Sequence, residues 1–205
     1  MKENSKNKVY MLTLSAIMVA LGTVLSLIKI IKMPLGGSVT LLSMLPIVMI
    51  SVMLGVKWGL GSAFVYSLLQ LFLGIALDGL LGWGLTPVML IGTICLDYIV
   101  PFTCLGLAGI FQKRGYLGIC SGITLALLLR FASHFVSGFI IFKELEQFEL
   151  FGRLFANRPV LYSLGYNGFY MLPELALTLI AATLLFRIPR IKKMISDQIK
   201  GLFTE

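Results

Sequence analysis

Asp97, Arg130, His134 and Glu174 stand inside stretches of the 205-residue chain that are otherwise apolar enough to cross a bilayer. A charge near the bilayer centre costs at least roughly 2.5–3.5 kcal/mol on insertion scales, so such groups face a cavity, a partner or a substrate. Arg130 is the single buried cation available to two acids, Asp97 and Glu174. One carboxylate is therefore left seeking a partner, and a cationic or N–H-rich ligand would supply it.

Composition dictates the solvent that surrounds these residues. Hydrophobic residues make up 58% of the chain and charged residues 13%, against about 25% charged in a soluble domain. Apolar runs fall at Val9–Ile31, Leu41–Leu54, Trp58–Leu77, Leu85–Phe111, Leu117–Phe142 and Val160–Phe186, most of them near the roughly 20 residues a helix needs to span. The second run is short, and the Ser38-Val39-Thr40 approach is available to complete it. The expectation is an all-α integral membrane protein: one domain over residues 1–205 with six transmembrane helices. Lys2, Lys6 and Lys8 precede a run far longer than a signal-peptide core, so the first helix is expected to stay.

Cations set the orientation. With both termini cytoplasmic, the inner segments hold Lys2, Lys6, Lys8, Lys57, Lys113, Arg114, Arg187, Arg190, Lys192, Lys193 and Lys200, and the outer loops only Lys29, Lys32, Lys143, Arg153 and Arg158. The net charge of +8 is thus explained by topology and anionic lipid headgroups, not by nucleic acid. Cys95, Cys104 and Cys120 lie in no metal-ligand spacing, and no phosphate loop, HExxH or GxSxG motif occurs. An active transporter without a nucleotide site draws on an ion gradient or on a separate ATPase, so no cofactor is expected on this chain.

Helical rise places the charges relative to one another. Counted from the inner ends, Phe111, Leu117 and Phe186, the residues Asp97, Arg130 and Glu174 all sit at roughly 20 Å. At one level, Arg130 and Glu174 read as an internal ion pair that fixes helix register. His134 lies one turn outward of Arg130, and Asn167 two turns outward of Glu174, with Tyr162 near the outer mouth. Tyr98, Phe131, Phe135, Phe142, Tyr162, Tyr166 and Tyr170 surround this polar stripe. Beside a carboxylate, such rings stack a flat ligand and cradle a cation. An intramembrane hydrolase is disfavoured, since Ser133 diverges from His134 by about 100° in a regular helix and Ser137 has no third orienting group.

Several segments carry a family resemblance: Met33-Pro-Leu-Gly-Gly-Ser-Val-Thr-Leu, Gly55-Val-Lys-Trp-Gly-Leu, Leu96-Asp-Tyr with Gly106-Leu-Ala-Gly, Arg130-Phe-Ala-Ser-His-Phe-Val-Ser-Gly, and Tyr162-Ser-Leu-Gly-Tyr-Asn-Gly. Over nearly its whole length the chain resembles the thiamine-specific substrate-binding (S) subunits of energy-coupling factor (ECF) vitamin transporters. The resemblance implies capture of thiamine from outside and delivery through a transmembrane coupling protein with two ATPase subunits, which hydrolyse the ATP. It implies a pocket of Asp97, Tyr98, His134, Phe142, Tyr162 and Asn167. It also implies a partner-docking motif at Ala16 and Ala20, small residues four apart that let another helix approach closely. Some relatives carry Glu at the position of Asp97 and Trp at that of Phe142, so a thiamine analogue, a precursor or a related vitamin is an alternative ligand.

On this reading Asp97 meets the thiazolium cation or the aminopyrimidine, the rings stack or hydrogen-bond, and Asn167 fixes orientation. The loops Lys32–Thr40 and Lys143–Arg158 are expected to form a lid, with Gly36-Gly37 as its hinge. The competing function is a stand-alone secondary transporter driven by protons through Asp97, His134 and Glu174. The absence of an evident inverted repeat argues against it.

Overall fold

Backbone polar groups in lipid must be satisfied within the chain, which restricts spanning segments to helices. The computed structural model describes residues 2–142 and 158–200. Its helices are α1 (Lys2–Leu27), α2 (Met44–Leu54), α3 (Val56–Ala76), α4 (Pro87–Thr93), α5 (Val100–Cys104), α6 (Gly115–Ile140), α7 (Pro159–Leu185) and α8 (Pro189–Ile199). A π-helical turn, Ile94–Ile99, joins α4 to α5, and together with the 3-10 turn Leu105–Leu107 they form one continuous rod.

Five segments are long and apolar enough to cross a membrane: Asn7–Leu27, Val56–Ala76, Pro87–Leu107, Gln112–Ile140 and Pro159–Leu185. Large apolar side chains such as Leu12, Phe72, Val88, Leu117 and Leu172 stand exposed on them, as lipid contact requires. The second apolar run differs. Only Met44–Leu54 is helical there, and its 11 residues rise about 16 Å, roughly half a bilayer core. This helix is buried on nearly all sides. It packs against α1 and α3, while α8, carrying Ile195 in the core, packs against it as well.

The chain departs from an all-helical plan at the end where α1 meets α2. The run expected to continue as helix to Ile31 leaves α1 at Leu27 and forms a small antiparallel hairpin, β1 (Lys29–Lys32) with β2 (Ser38–Thr40). Lys29 pairs with Thr40, Ile31 with Val39 and Lys32 with Ser38, with a bulge between Lys29 and Ile31. The turn runs through Pro34-Leu35-Gly36 with Leu35 and Gly36 at φ 58° and 89°. Proline there cannot continue a helix, and Gly36 supplies the left-handed geometry without a side-chain penalty.

At the opposite end a seam of small residues locks α2 and α3 to the rod's far end. Ser51 Oγ donates to the Gly106 carbonyl at 2.6 Å and accepts from the Gly109 amide at 2.9 Å. A Cβ on Gly106 would lie 2.5 Å from the backbone of Leu60. Gly106→Ala is expected to lower stability by about 1–3 kcal/mol through overpacking, whereas Gly61, whose Cβ position is open, should accept Ala without loss. Thermal melting of the detergent-solubilised protein checks this, and equal melting temperatures for the two variants would refute the close approach.

Candidate functional site

Asp97 and Tyr98 sit in the π-helical turn. Pro101 accounts for it: proline has no amide to return to the Asp97 carbonyl, and its ring crowds that position, so the ladder widens. The displaced Leu96 carbonyl accepts from Ser133 Oγ on α6 at 2.6 Å. The next residue on α6, His134, and Ser137 one turn on from Ser133 reach the Asp97 carboxylate. Nδ1 of His134 lies 2.9 Å from Oδ1, and Ser137 Oγ donates to Oδ2. Ser137 thus serves Asp97 and not the imidazole.

Arg130 Nε donates to His134 Nε2 at 3.3 Å. That bond requires Nε2 to accept, so His134 is neutral with its proton on Nδ1, donated to Asp97. The guanidinium lies 4.2 Å over the Phe102 ring. Among the described residues Arg130 and Glu174 form no ion pair within 4.0 Å, contrary to the sequence expectation. Each charge has a nearer claimant. Arg130 is held by His134 and Phe102, and Glu174 Oε1 accepts from the Thr40 amide at 2.5 Å and Thr40 Oγ1 at 2.7 Å. Thr40 lies on β2, so the carboxylate roots the hairpin onto α7.

Asn167 acts between helices. Its amide nitrogen donates to the His134 carbonyl at 3.2 Å and the Ser163 carbonyl at 2.9 Å, and its oxygen accepts from Tyr170 Oη at 2.9 Å. Gly138 permits this approach, because a Cβ there would collide with Ser163 Oγ and press on Asn167. Tyr162, Tyr166 and Tyr170 form a ring ladder with centroid spacings of 6.1 and 5.9 Å, continued to His134 at 6.1 Å.

These groups line one concave cavity beneath the hairpin, about 950 Å³ of unfilled space including the open solvent at its mouth. Asp97, Tyr98, His134, Phe142, Tyr162 and Asn167 all line it, and so do Arg130 and Glu174. Sequence reasoning missed Trp83, Asp78 and Lys29. Trp83 meets Phe142 edge-on at 6.2 Å and donates from Nε1 to the Asp78 carbonyl at 3.1 Å. Asp78 pairs with Lys29 at 2.5 Å, with Lys32 at 3.9 Å. The signal lay in a charged residue and an aromatic inside a glycine-rich connection, Asp78-Gly-Leu-Leu-Gly-Trp.

The first expected lid segment does cover the cavity, since Leu35, Gly36, Gly37, Ser38 and Thr40 line it. Gly37 lies so close to Tyr166 Oη that a Cβ would sit at 2.8 Å. Of the second, Lys143–Arg158, residues 143–157 lie outside the described residues. Ala16 and Ala20 are remote from the cavity. They line a separate open groove between α1 and α3 with Ser15, Trp58 and Gly61.

A family model described as thiamine transporter protein matches residues 12–193. The chain is 33% identical over 194 residues to the thiamine transporter ThiT of Bacillus subtilis (strain 168), covering 87% of this chain and 91% of that protein. A solved structure of ThiT from Listeria monocytogenes has the same fold, with a TM-score of 0.70, 20% identity, and coverage of 92% of this chain and 98% of that one.

The π turn depends on Ser133 in a checkable way. Ser133→Ala leaves the Leu96 carbonyl without its side-chain donor and should cost about 1–3 kcal/mol, whereas Ser133→Thr, which keeps the hydroxyl, should cost less. Thermal melting distinguishes them, and an unperturbed alanine variant would show that the turn needs no such support.

Proposed function

The chain belongs to the thiamine transporter protein family, and from that premise we propose that it captures thiamine in the cavity beneath the hairpin. It is a multi-pass membrane protein of a transporter family and not an enzyme. The observation that carries the ligand reading is the charge balance of the cavity. Among the described residues Asp78 pairs with both Lys29 and Lys32, whereas Asp97 has no Lys or Arg within 4.0 Å and is met by Ser137 and by His134, which is neutral by its hydrogen bonds. A carboxylate without a cationic partner in a concave, weakly screened site favours a ligand with one positive charge, as the thiazolium of thiamine has.

The geometry supports roles for the named residues. Asp97 retains acceptor capacity beyond its two donors and serves the cation or the aminopyrimidine. Tyr98, Phe142 and Tyr162, joined by Trp83, offer faces and edges to flat rings. Asn167 acts by holding His134 and Tyr170 in place, since its own amide is engaged. The short carboxylate of Asp97 and the ring of Phe142 leave room that suits thiamine, its precursor or a close analogue.

The finer reading is that of an ECF S component: six passes with α2 as the short second one, both termini in the cytoplasm, and transport powered by a transmembrane coupling protein with two ATPase subunits. The chain itself then needs no cofactor. The groove at Ala16 and Ala20 supports the docking role, because both alanines are exposed and small residues admit a partner helix closely.

Two experiments test this. Thiamine at micromolar concentration should quench the fluorescence of Trp83 saturably, and Asp97→Asn should weaken binding by about 2–5 kcal/mol, the range for breaking a buried charge pair; unchanged affinity would remove Asp97 from the site. Ala16→Leu with Ala20→Leu should abolish co-purification with the ATPase-bearing module and uptake, while leaving thiamine quenching intact. Uptake by the wild-type chain alone, sensitive to an uncoupler, would instead establish a secondary carrier.

A further inference from the structure

At the end of the bundle away from the cavity, α7 stops at Leu185 and α8 starts at Pro189, whose missing amide separates the two helices. α8 has two unlike faces. Ile195 is buried in the core with Ile191 and Met194 packed beside it, and Tyr10 Oη on α1 donates to Met194 Sδ at 4.0 Å. Arg190, Lys192 and Lys193 are exposed. The helix also packs against the 3-10 turn Gln112–Arg114, which adds the exposed cations Lys113 and Arg114, while the exposed Arg187 precedes α8. Among the described residues none of these cations forms an ion pair within 4.0 Å. Arg114 rests over the Phe111 ring at 5.2 Å, and the acid on α8 is Asp197.

These cations stand at the level of lipid headgroups. Leu117 at the start of α6 and Leu184 near the end of α7 are 76% and 56% exposed, apolar surface that calls for hydrocarbon. Arg114 and Arg187 each lie three residues beyond one of these leucines, roughly 5 Å farther by helical rise. At the same level Tyr116 is exposed, edge-on to Phe186 at 6.1 Å and donating to Thr183 Oγ1 at 3.1 Å, as aromatic residues at a membrane boundary are placed. Ile188 and Ile199, about three turns apart, are exposed along one flank of α8. A helix with an apolar flank beside a basic face fits the plane of a membrane surface, whereas an acidic protein partner would give those isoleucines nothing to enter.

We propose that α8 and the turn Gln112–Arg114 form a docking surface for the phosphates of anionic phospholipids. Each Lys or Arg that meets an anionic lipid surface tightens the attachment roughly fivefold. A zwitterionic headgroup brings its own cation beside the phosphate, so the surface selects headgroups with net negative charge. Because α8 packs against α2, the attachment also braces the short helix that does not reach across the bilayer. The inference is independent of which vitamin the cavity takes.

The test is thermal melting of the detergent-solubilised chain titrated with phosphatidylglycerol, with phosphatidylcholine and with inorganic phosphate. Phosphatidylglycerol should raise the melting temperature saturably, and less so as salt is added, while the other two probes leave it unchanged. The variant carrying Arg190→Gln, Lys192→Gln and Lys193→Gln should need about tenfold or more phosphatidylglycerol for the same rise. Lys192→Arg with Lys193→Arg keeps the charge and should respond as wild type does. The substituted side chains are exposed, so lipid-free melting should be unchanged; should the neutral variant not fold, Lys113→Gln with Arg114→Gln enters the same comparison. Equal rises with phosphatidylglycerol and phosphatidylcholine, the same rise with inorganic phosphate, or an undiminished rise in the neutral variant would each overturn the inference. Loss of co-purification with the ATPase-bearing module by the neutral variant, with its response to phosphatidylglycerol intact, would assign the face to an acidic protein surface instead.

Discussion

A carboxylate carried to membrane depth must find most of its partners within the protein, and the arrangement of this chain follows from how Asp97 is met. The helix α6 supplies Ser133, His134 and Ser137 within little more than a turn. To receive them, the facing helix must turn its backbone outward, and Pro101 makes that possible by withholding an amide. Arg130 then extends the chain of donors to His134, and Asn167 carries it to α7 through the His134 carbonyl. The rod, α6 and α7 are fixed to each other by the satisfaction of one half-buried charge.

The same requirement shapes the cavity wall. Polar atoms cluster on its helical side, and the aromatic ladder of Tyr162, Tyr166 and Tyr170 rises from His134 toward the hairpin. Trp83 and Phe142 close the opposite edge. The hairpin is anchored at both flanks, by Glu174 beneath Thr40 and by Asp78 against Lys29. Its roof position is held as well by apolar packing, since Met33 and Val39 are buried against Tyr170 and Met171.

Much of this is legible in the amino-acid sequence alone. Helical rise puts Asp97, Arg130 and Glu174 at one depth, and they do share one cavity. Depth says nothing about direction, however, which is why Arg130 and Glu174 read as partners although His134 and Thr40 lie nearer. Lys29-Ile-Ile-Lys merges into the first apolar run because two isoleucines are as apolar in a strand as in a helix, and only Pro34 hints otherwise. The π turn is not legible even though Pro101 stands four residues beyond Asp97, since a proline in an apolar run reads as a kink without saying how the ladder reorganises. Asp78 and Trp83 escape because a loop gives no periodicity from which to infer facing.

The seam of Ser51, Gly59, Gly106 and Gly109 has a consequence for the thermodynamics of recognition. It clamps the helices at the end away from the cavity, so the structure resembles a set of rods fixed at one end with a short hairpin across the other. Any backbone that a ligand has to order then lies in the short hairpin and not in whole helices. Ordering a handful of backbone units costs about 1–2 kcal/mol each, far less than ordering whole helices. More of the contact energy in the cavity is left to appear as affinity.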